Sequence, residues 1–404
     1  MTNPAIKKWL PQHLWEGIDF IEIKDLAQDI IEKIKKEENP QIIILAIHAG
    51  VGDGTNDNIE NPAKYLALNL KGVDIILASH DHRVFCEKVF NGIDSVLVMD
   101  GGSHAKNLQS AKIKIVVKDN KILSKQIDGE ILSMNNVAKD ELYLEKFRAA
   151  YKRVKDYTNE VIGTLNKDLY TRDAFFGPSD YINLIHTVQL DKTGADISFA
   201  APNTYNSYIP KGDLLRSDLF LLYPFENTLF KIKMTGKQIR DYLEYSYDKW
   251  INTVKAPGDH IFNIQYTEYQ GVGKYWFKNM AFNFDAAAGI NYIVDITKDS
   301  GERVKISSLH NGTKFHSDSV YTVAINSYRA SGGGDLLKVG AGIDPQIQLE
   351  EITVGIYPEV RNLIDEYFKA NPEGSIRYYS NWKFAPDNIA VSAMRRDKKL
   401  LFAE

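Results

Sequence analysis

Two layered regions of different character, α/β first and α+β after it, are what this sequence predicts, joined by a polar helix. Three observations lead there. Over the first hundred residues, continuous apolar runs alternate with an amphipathic helical segment. Near residue 140 comes a highly charged stretch with helical spacing, and beyond it strands and helices mix with glycine-rich turns. The regions are placed at 1–135 and 161–404, with the connector helix at 136–160.

In "KDLAQDIIEKIKK", Leu26, Ala27, Ile30, Ile31 and Ile34 fall on one helical face. "QIIILAIHAG" reads as a buried strand, Ile42 to Ile47, followed by His48. "VDIILASHDH" and "DSVLVMDGGSH" read as two more such strands. Apolar runs without alternation predict a sheet covered on both faces, with ligands at the C-terminal strand ends. "AKIKIVVKDNKILSKQI" alternates and turns at Asp119-Asn120, which predicts a hairpin. The connector carries only Leu144, Phe147, Tyr151 and Val154 as an apolar stripe. Further on, Ser179 is placed to cap a helix through "DYINLIHTVQL", and Thr235 with Gln238 has the spacing of a capping box. "FNFDAAAGINYIVDI" and "SVYTVAINSYRASGGGDLL" read as strands ending in glycine-rich turns.

Composition narrows the function. The formal charge of −4 provides no basic footprint for a nucleic-acid duplex, and no run of about 18 apolar residues could span a membrane. A single cysteine, Cys86, forbids an intramolecular disulfide and reads as a small apolar filler. "MTNPAIKKWLPQHLWEG" has no charged leader followed by an apolar core, so no signal peptide is visible.

Chemistry-bearing residues fall into two groups. His48, His80 and His82 each follow the end of an apolar strand. Strands of one parallel sheet bring such ends together, and converging imidazoles suit a transition-metal ion. A two-metal centre also needs carboxylates to bridge the ions. Asp81 lies between two of the histidines and in extended geometry would point away from them, while Asp53 and Asp57 read as turn formers. His104 follows a glycine pair and reads as structural, His186 as a packed helix residue. His13, His260, His310 and His316 have no specifying neighbours in sequence.

The second group is "YPFENTLF", with Phe225 and Asn227, and "NSYRASGGGDLL", with Tyr328 and Arg329 before Gly332 and Gly333. Two aromatics from separate segments could sandwich a nucleobase, with Gly332 and Gly333 letting the flat ligand approach the backbone closely. They could equally be core rings beside a tight glycine turn.

Both groups, in this order, resemble metallophosphoesterase-type nucleotidases with a 5'-nucleotidase C-terminal domain. Within these the chain looks most like the 2',3'-cyclic-nucleotide 2'-phosphodiesterase/3'-nucleotidase branch. "ILAIHAG", "ASHDHRVF", "IPKGDLLRSDLFLLYPFENTL", "FNFDAAAGINYIVDI" and "NSYRASGGG" carry the resemblance. It implies that 1–135 is the C-terminal part of a metallophosphatase-like domain and 161–404 a nucleotide-binding domain. It also implies two divalent metal ions of the Mn, Zn, Mg or Co class in the intact enzyme, His48 and His80 holding one and His82 the other, with Ser79 where the family has glycine. Phe225 and Tyr328 fall at the base-stacking positions, and Asn227 and Arg329 at polar positions beside them. The implied activity is hydrolysis of nucleotide phosphate esters, 2',3'-cyclic, 3' or 5', in a periplasmic or cell-surface protein. The family's earlier motifs, Asp-x-His and Asn-His-Asp/Glu, have no counterpart here. The resemblance therefore carries two expectations: an N-terminally truncated hydrolase with little activity alone and no catalytic residue to name, or a catalytically incomplete nucleotide-binding fragment.

Overall fold

The apolar stripe of the first helical segment forms the helix Ile23–Glu38, which buries Ile23, Ala27 and Ile31. Leu26 and Ile34 stay exposed at its margins, so the buried face is narrower than the sequence pattern implied. The structure, a computed structural model, describes residues 1–2, 5–6, 15–56, 59–119, 121–269 and 272–402. His13 and Asp57 lie outside the described residues. Two compact units result, Met1–Lys146 and Phe147–Glu404.

The first unit is built on a four-stranded sheet. Its strands are β1 (Ile44–Ala46), β2 (Ile75–Ala78), β3 (Val84–Phe90) and β4 (Ser95–Gly101), in the order β1-β2-β4-β3. β1, β2 and β4 run parallel, which brings the residues after their C-terminal ends to one edge. β3 pairs antiparallel with β4. Apolar periodicity alone did not reveal β3, because its "VFCEKVF" has two charged residues in mid-run. The prediction that every strand is covered on both faces fails for β1: Ile44 is half exposed. At the outer side of β1, Thr2 bridges to His48 and the Met1 amino group donates to the Ala46 carbonyl. The predicted hairpin is present as β5 (Asn107–Lys118) and β6 (Lys121–Ser133), and Asp119 takes the left-handed backbone of its turn.

The polar helix is Glu141–Thr158, and it buries no residue at all. Leu144, Phe147, Tyr151 and Val154 are exposed along it.

The second unit centres on a five-stranded sheet in the order Ala286–Ala288, Ile197–Ala200, Val320–Asn326, Thr228–Thr235, Thr353–Glu359. Neighbouring strand residues pack on opposite faces, as the period of two requires. Leu229 joins Leu184, Ile185 and Leu363, from the helices Asp180–Thr193 and Val360–Ala370. Phe230 and Ile232 join Ile239, Tyr242 and Leu243 of the helix Gly236–Trp250 on the other face. Both helix starts are capped as their sequences predict. Ser179 Oγ accepts from the Ile182 amide, and Thr235 and Gln238 exchange reciprocal bonds. We expect Thr235→Ala to lower stability by about 1 kcal/mol, read from the urea midpoint of the transition that carries this helix. An unchanged midpoint would mean the helix start is held by packing alone.

Candidate functional site

In the first unit, the loops after β1 and β2 meet. The rings of His48 and His80 lie edge to face with centroids 5.4 Å apart. Ser79 Oγ pairs with His48 Nδ1 at 3.2 Å, so the hydroxyl orients this ring and leaves Nε2 as the other ring nitrogen. A hydrogen bond at one ring nitrogen is what fixes the tautomer of a ligating imidazole. His80 Nε2 is 3.9 Å from Glu60 Oε2. His82 faces His104 instead, at 6.2 Å. His104, expected to be structural, thus stands beside a candidate ligand, and only the turn after β4 brings it there.

The backbone here is unusual. Of the seven described non-glycine residues with positive φ, four are His80, His82, His104 and Ala105. Left-handed backbone at residues other than glycine is costly and concentrates where a site imposes it. Asp81, between His80 and His82, thus does not lie in the extended segment that its expected orientation presupposed. Asp81 Oδ2 accepts from the Val51 amide at 2.9 Å, and its carboxyl packs against Gly50. A Cβ on Gly50 would lie 2.6 Å from Asp81 Cγ, so only glycine permits this approach. Asp53 does form its turn, accepting from the amide and hydroxyl of Thr55.

Behind Asp81 lies Asp100, fully buried at the end of β4. Its Oδ1 accepts from the Gly102 amide at 2.8 Å. Burial, and next the neighbouring Asp81 carboxylate, push its acid dissociation up to about 7. Two carboxyl groups sharing a site cannot both ionise cheaply.

The donors present suit a divalent transition metal in kind, being imidazoles with a carboxylate nearby. In number they fall short, since among the described residues no three His, Cys, Asp or Glu side chains converge as a metal site does.

In the second unit, Phe225 projects from the loop before Thr228–Thr235 and is 39 % exposed. Arg361 holds this loop on both sides of the ring, donating to the Pro224 carbonyl and the Glu226 carboxylate. Tyr328 is half-buried, on the short helix Ser327–Ala330 that follows Val320–Asn326. The Asn326 side chain caps that helix through the Arg329 amide.

Arg329 itself is buried and spends all five N–H groups inside the protein. Nε and Nη2 donate to the Asp285 carboxylate at 3.0 and 2.8 Å, and Nη2 also donates to the Phe282 carbonyl. Nη1 donates to Asn283 Oδ1 and the Gly333 carbonyl at 2.8 and 3.1 Å. Arg329 therefore has no donor to offer a ligand, and its place beside the site is that of a clamp. Asn227 likewise turns inward, its amide donating to the buried Tyr223 hydroxyl at 3.3 Å.

The glycines also have a different use from the one expected. A Cβ on Gly333 would sit 2.4–2.5 Å from three atoms of the Tyr328 ring. The clear backbone there accommodates the protein's own tyrosine. Gly332, with φ 97°, makes the turn that folds this segment back.

Residues 161–339 match the family described as 5'-nucleotidase, C-terminal domain. This part of the chain is similar to that family's domain. Among curated relatives, a trifunctional nucleotide phosphoesterase protein of Bacillus subtilis is 24% identical over 95% of this chain and 28% of its own length. A 2',3'-cyclic-nucleotide 2'-phosphodiesterase/3'-nucleotidase of Haemophilus influenzae is 24% identical over 95% of this chain and 63% of its own. The chain thus spans less than two thirds of either relative. In fold it is similar to a putative 5'-nucleotidase of Staphylococcus aureus, with TM-score 0.73, 20% identity, and coverage of 95% of this chain and 71% of that one.

Within the matched residues, Phe225 and Tyr328 come from segments about a hundred residues apart, yet both touch Phe282. The Phe225–Phe282 centroids are 5.9 Å apart at 71°, and the Phe282–Tyr328 centroids 6.1 Å apart at 76°. Sequence reasoning missed Phe282, although "FNFD" contains it. Its neighbour Phe284 is buried and stacks on Trp250, so "FNF" places one ring in the core and one toward the site. His186 is the packed residue predicted: buried, bonded to Ser198 Oγ at 2.9 Å, and pushed down to about 3 by desolvation. His260 pairs with the buried Asp397 at 2.6 Å, a partner 137 residues away.

Proposed function

We propose that the Phe147–Glu404 unit binds nucleosides and nucleotides by stacking the base on Phe225 and Tyr328, as part of a hydrolase acting on nucleotide phosphate esters. The observation that carries this reading is a pair of solvent-reaching rings from separate segments, each set on a rigid support. Arg361 fixes the loop of one, and the Arg329–Asp285 pair fixes the helix of the other. A merely structural aromatic cluster would not need its rings at the surface. The family match and the names of the relatives support nucleotides as the ligand class.

In this reading Gly332 and Gly333 shape the backbone under Tyr328, while Asn227 and Arg329 act as positioning residues. His48, His80 and His82 are assigned to divalent metal ions of the Mn, Zn, Mg or Co class, which supply a polarised water when bound. Among the described residues these donors do not make a full coordination set. The cyclic 2',3', 3' and 5' phosphate positions all remain within the proposed substrate class. The protein is proposed to serve in the periplasm or at the cell surface. Among the described residues, no helix is long and apolar enough to cross a membrane.

The test is calorimetric titration of adenosine and AMP into the full chain, without metal. Losing one stacking face costs about 1–3 kcal/mol per base, roughly five- to a hundredfold in affinity. Phe225→Ala and Tyr328→Ala are each expected to show such a loss while keeping the wild-type circular dichroism. Folded variants that bind as tightly as wild type would assign both rings to structure.

A further inference from the structure

We propose that Phe282 is the third wall of the base site and determines its preference for purines over pyrimidines. This rests on the base-stacking reading above and adds a residue and a selectivity to it.

Phe282 is almost equidistant from the two stacking rings and nearly perpendicular to both, at 71° to Phe225 and 76° to Tyr328. A base lying parallel to either ring would therefore meet Phe282 edge to face. That is the favoured geometry for aromatic neighbours that do not stack.

Its backbone is held in place. Phe282 belongs to the 3-10 turn Ala281–Asn283. Arg329 grips its carbonyl, the side chain of Asn283 and the carboxylate of Asp285 at once. Next to it, Phe284 is buried against Trp250, and Asp285 accepts from the Tyr242 hydroxyl. The turn cannot swing away without breaking a buried ion pair. A ring on such a support acts as a fixed wall, and Phe282 itself is only half-buried.

Selectivity follows from reach. A purine extends one fused ring further from its ribose than a pyrimidine does. A wall facing the far edge of the base is contacted by the purine and missed by the shorter pyrimidine. Phe282 thus favours purines through a contact that the two stacking rings, which accept any base, do not supply.

The experiment titrates adenosine, uridine and ribose 5-phosphate into the full chain as wild type, Phe282→Ala, Phe282→Leu and Phe225→Ala. One edge-to-face contact corresponds to about 2- to 13-fold in affinity. Phe282→Ala is expected to weaken adenosine by that factor and uridine by less than twofold. Ribose 5-phosphate, having no base, should be unaffected. Phe282→Leu keeps bulk without a π face and should give the same selective loss, which covers the case that the alanine variant does not fold. An unchanged adenosine-to-uridine ratio in the folded variants overturns the proposal. So does tighter adenosine binding, which would make Phe282 a plug rather than a wall. If Phe225→Ala also leaves adenosine binding intact, the base site itself has failed. If Phe225→Ala weakens binding and Phe282→Leu does not shift the ratio, only the third wall falls.

Discussion

Arg329→Met is expected to destabilise the Phe147–Glu404 unit by about 3–5 kcal/mol, the largest effect of any single substitution considered. The reason is what it leaves behind. Arg329 and Asp285 are both almost fully buried, and the guanidinium is bonded to both carboxylate oxygens. Without it Asp285 keeps, among the described residues, only the Tyr242 hydroxyl as a side-chain donor at that carboxylate. The carbonyls of Phe282 and Gly333 lose the same donor. A buried charge stripped of its partner costs far more than the intact pair contributes. For a unit of this size the loss corresponds to a fall in melting temperature on the order of 10 °C. Calorimetry of the full chain should place the shift in one transition only. Adding Asp285→Asn to Arg329→Met removes the orphaned charge and should recover part of the loss. A double variant no more stable than Arg329→Met would mean that the lost carbonyl contacts, rather than the charge, dominate.

The second large effect is a pH dependence in the Met1–Lys146 unit, centred on Asp100. Its acid dissociation is raised from an ordinary 3.8 to about 7, by burial first and by Asp81 after it. Between those values the folded unit holds a proton that the unfolded chain has released. Stability is therefore complete below about pH 4 as far as this group is concerned, and it declines as pH rises toward 7. At ~1.4 kcal/mol per decade, the decline amounts to a few kcal/mol. Asp100→Asn mimics the protonated carboxyl in size and can still accept from the Gly102 amide. It should match wild type near pH 4.5, exceed it at pH 8, and flatten the dependence between. Hydrogen exchange of β4 amides across that range would read the effect. A wild-type profile as flat as the variant's would show that solvent reaches Asp100 and keeps it ionised.

Much of this was legible along the chain because its causes are local. Hydroxyls at Ser179 and Thr235 cap the helices that follow them, since a cap needs only the next three residues. His186 sits in an apolar helical pattern and is buried as that pattern implies. His48 and His80 each follow a parallel strand, so their approach follows from the topology that apolar runs predict. The likeness of residues 161–339 to the 5'-nucleotidase C-terminal domain was legible because its motifs are short and contiguous.

What the sequence by itself determined was which residues are chemically capable and which helices and strands carry them. Only the tertiary structure decided how their bonding capacity is used. "NSYRASGGG" shows an arginine and three glycines beside an aromatic, which reads as a ligand site. In the fold, every donor of Arg329 is consumed by "FNFD", 44 to 47 residues away, and by Gly333, while Gly333 yields its space to Tyr328. Local sequence fixes a side chain's valence but not its partners, because a partner is chosen by three-dimensional proximity. For the same reason Phe282 could not be told from Phe284. The two rings differ only in which side of a single turn faces the core, and that is settled by what the turn packs against.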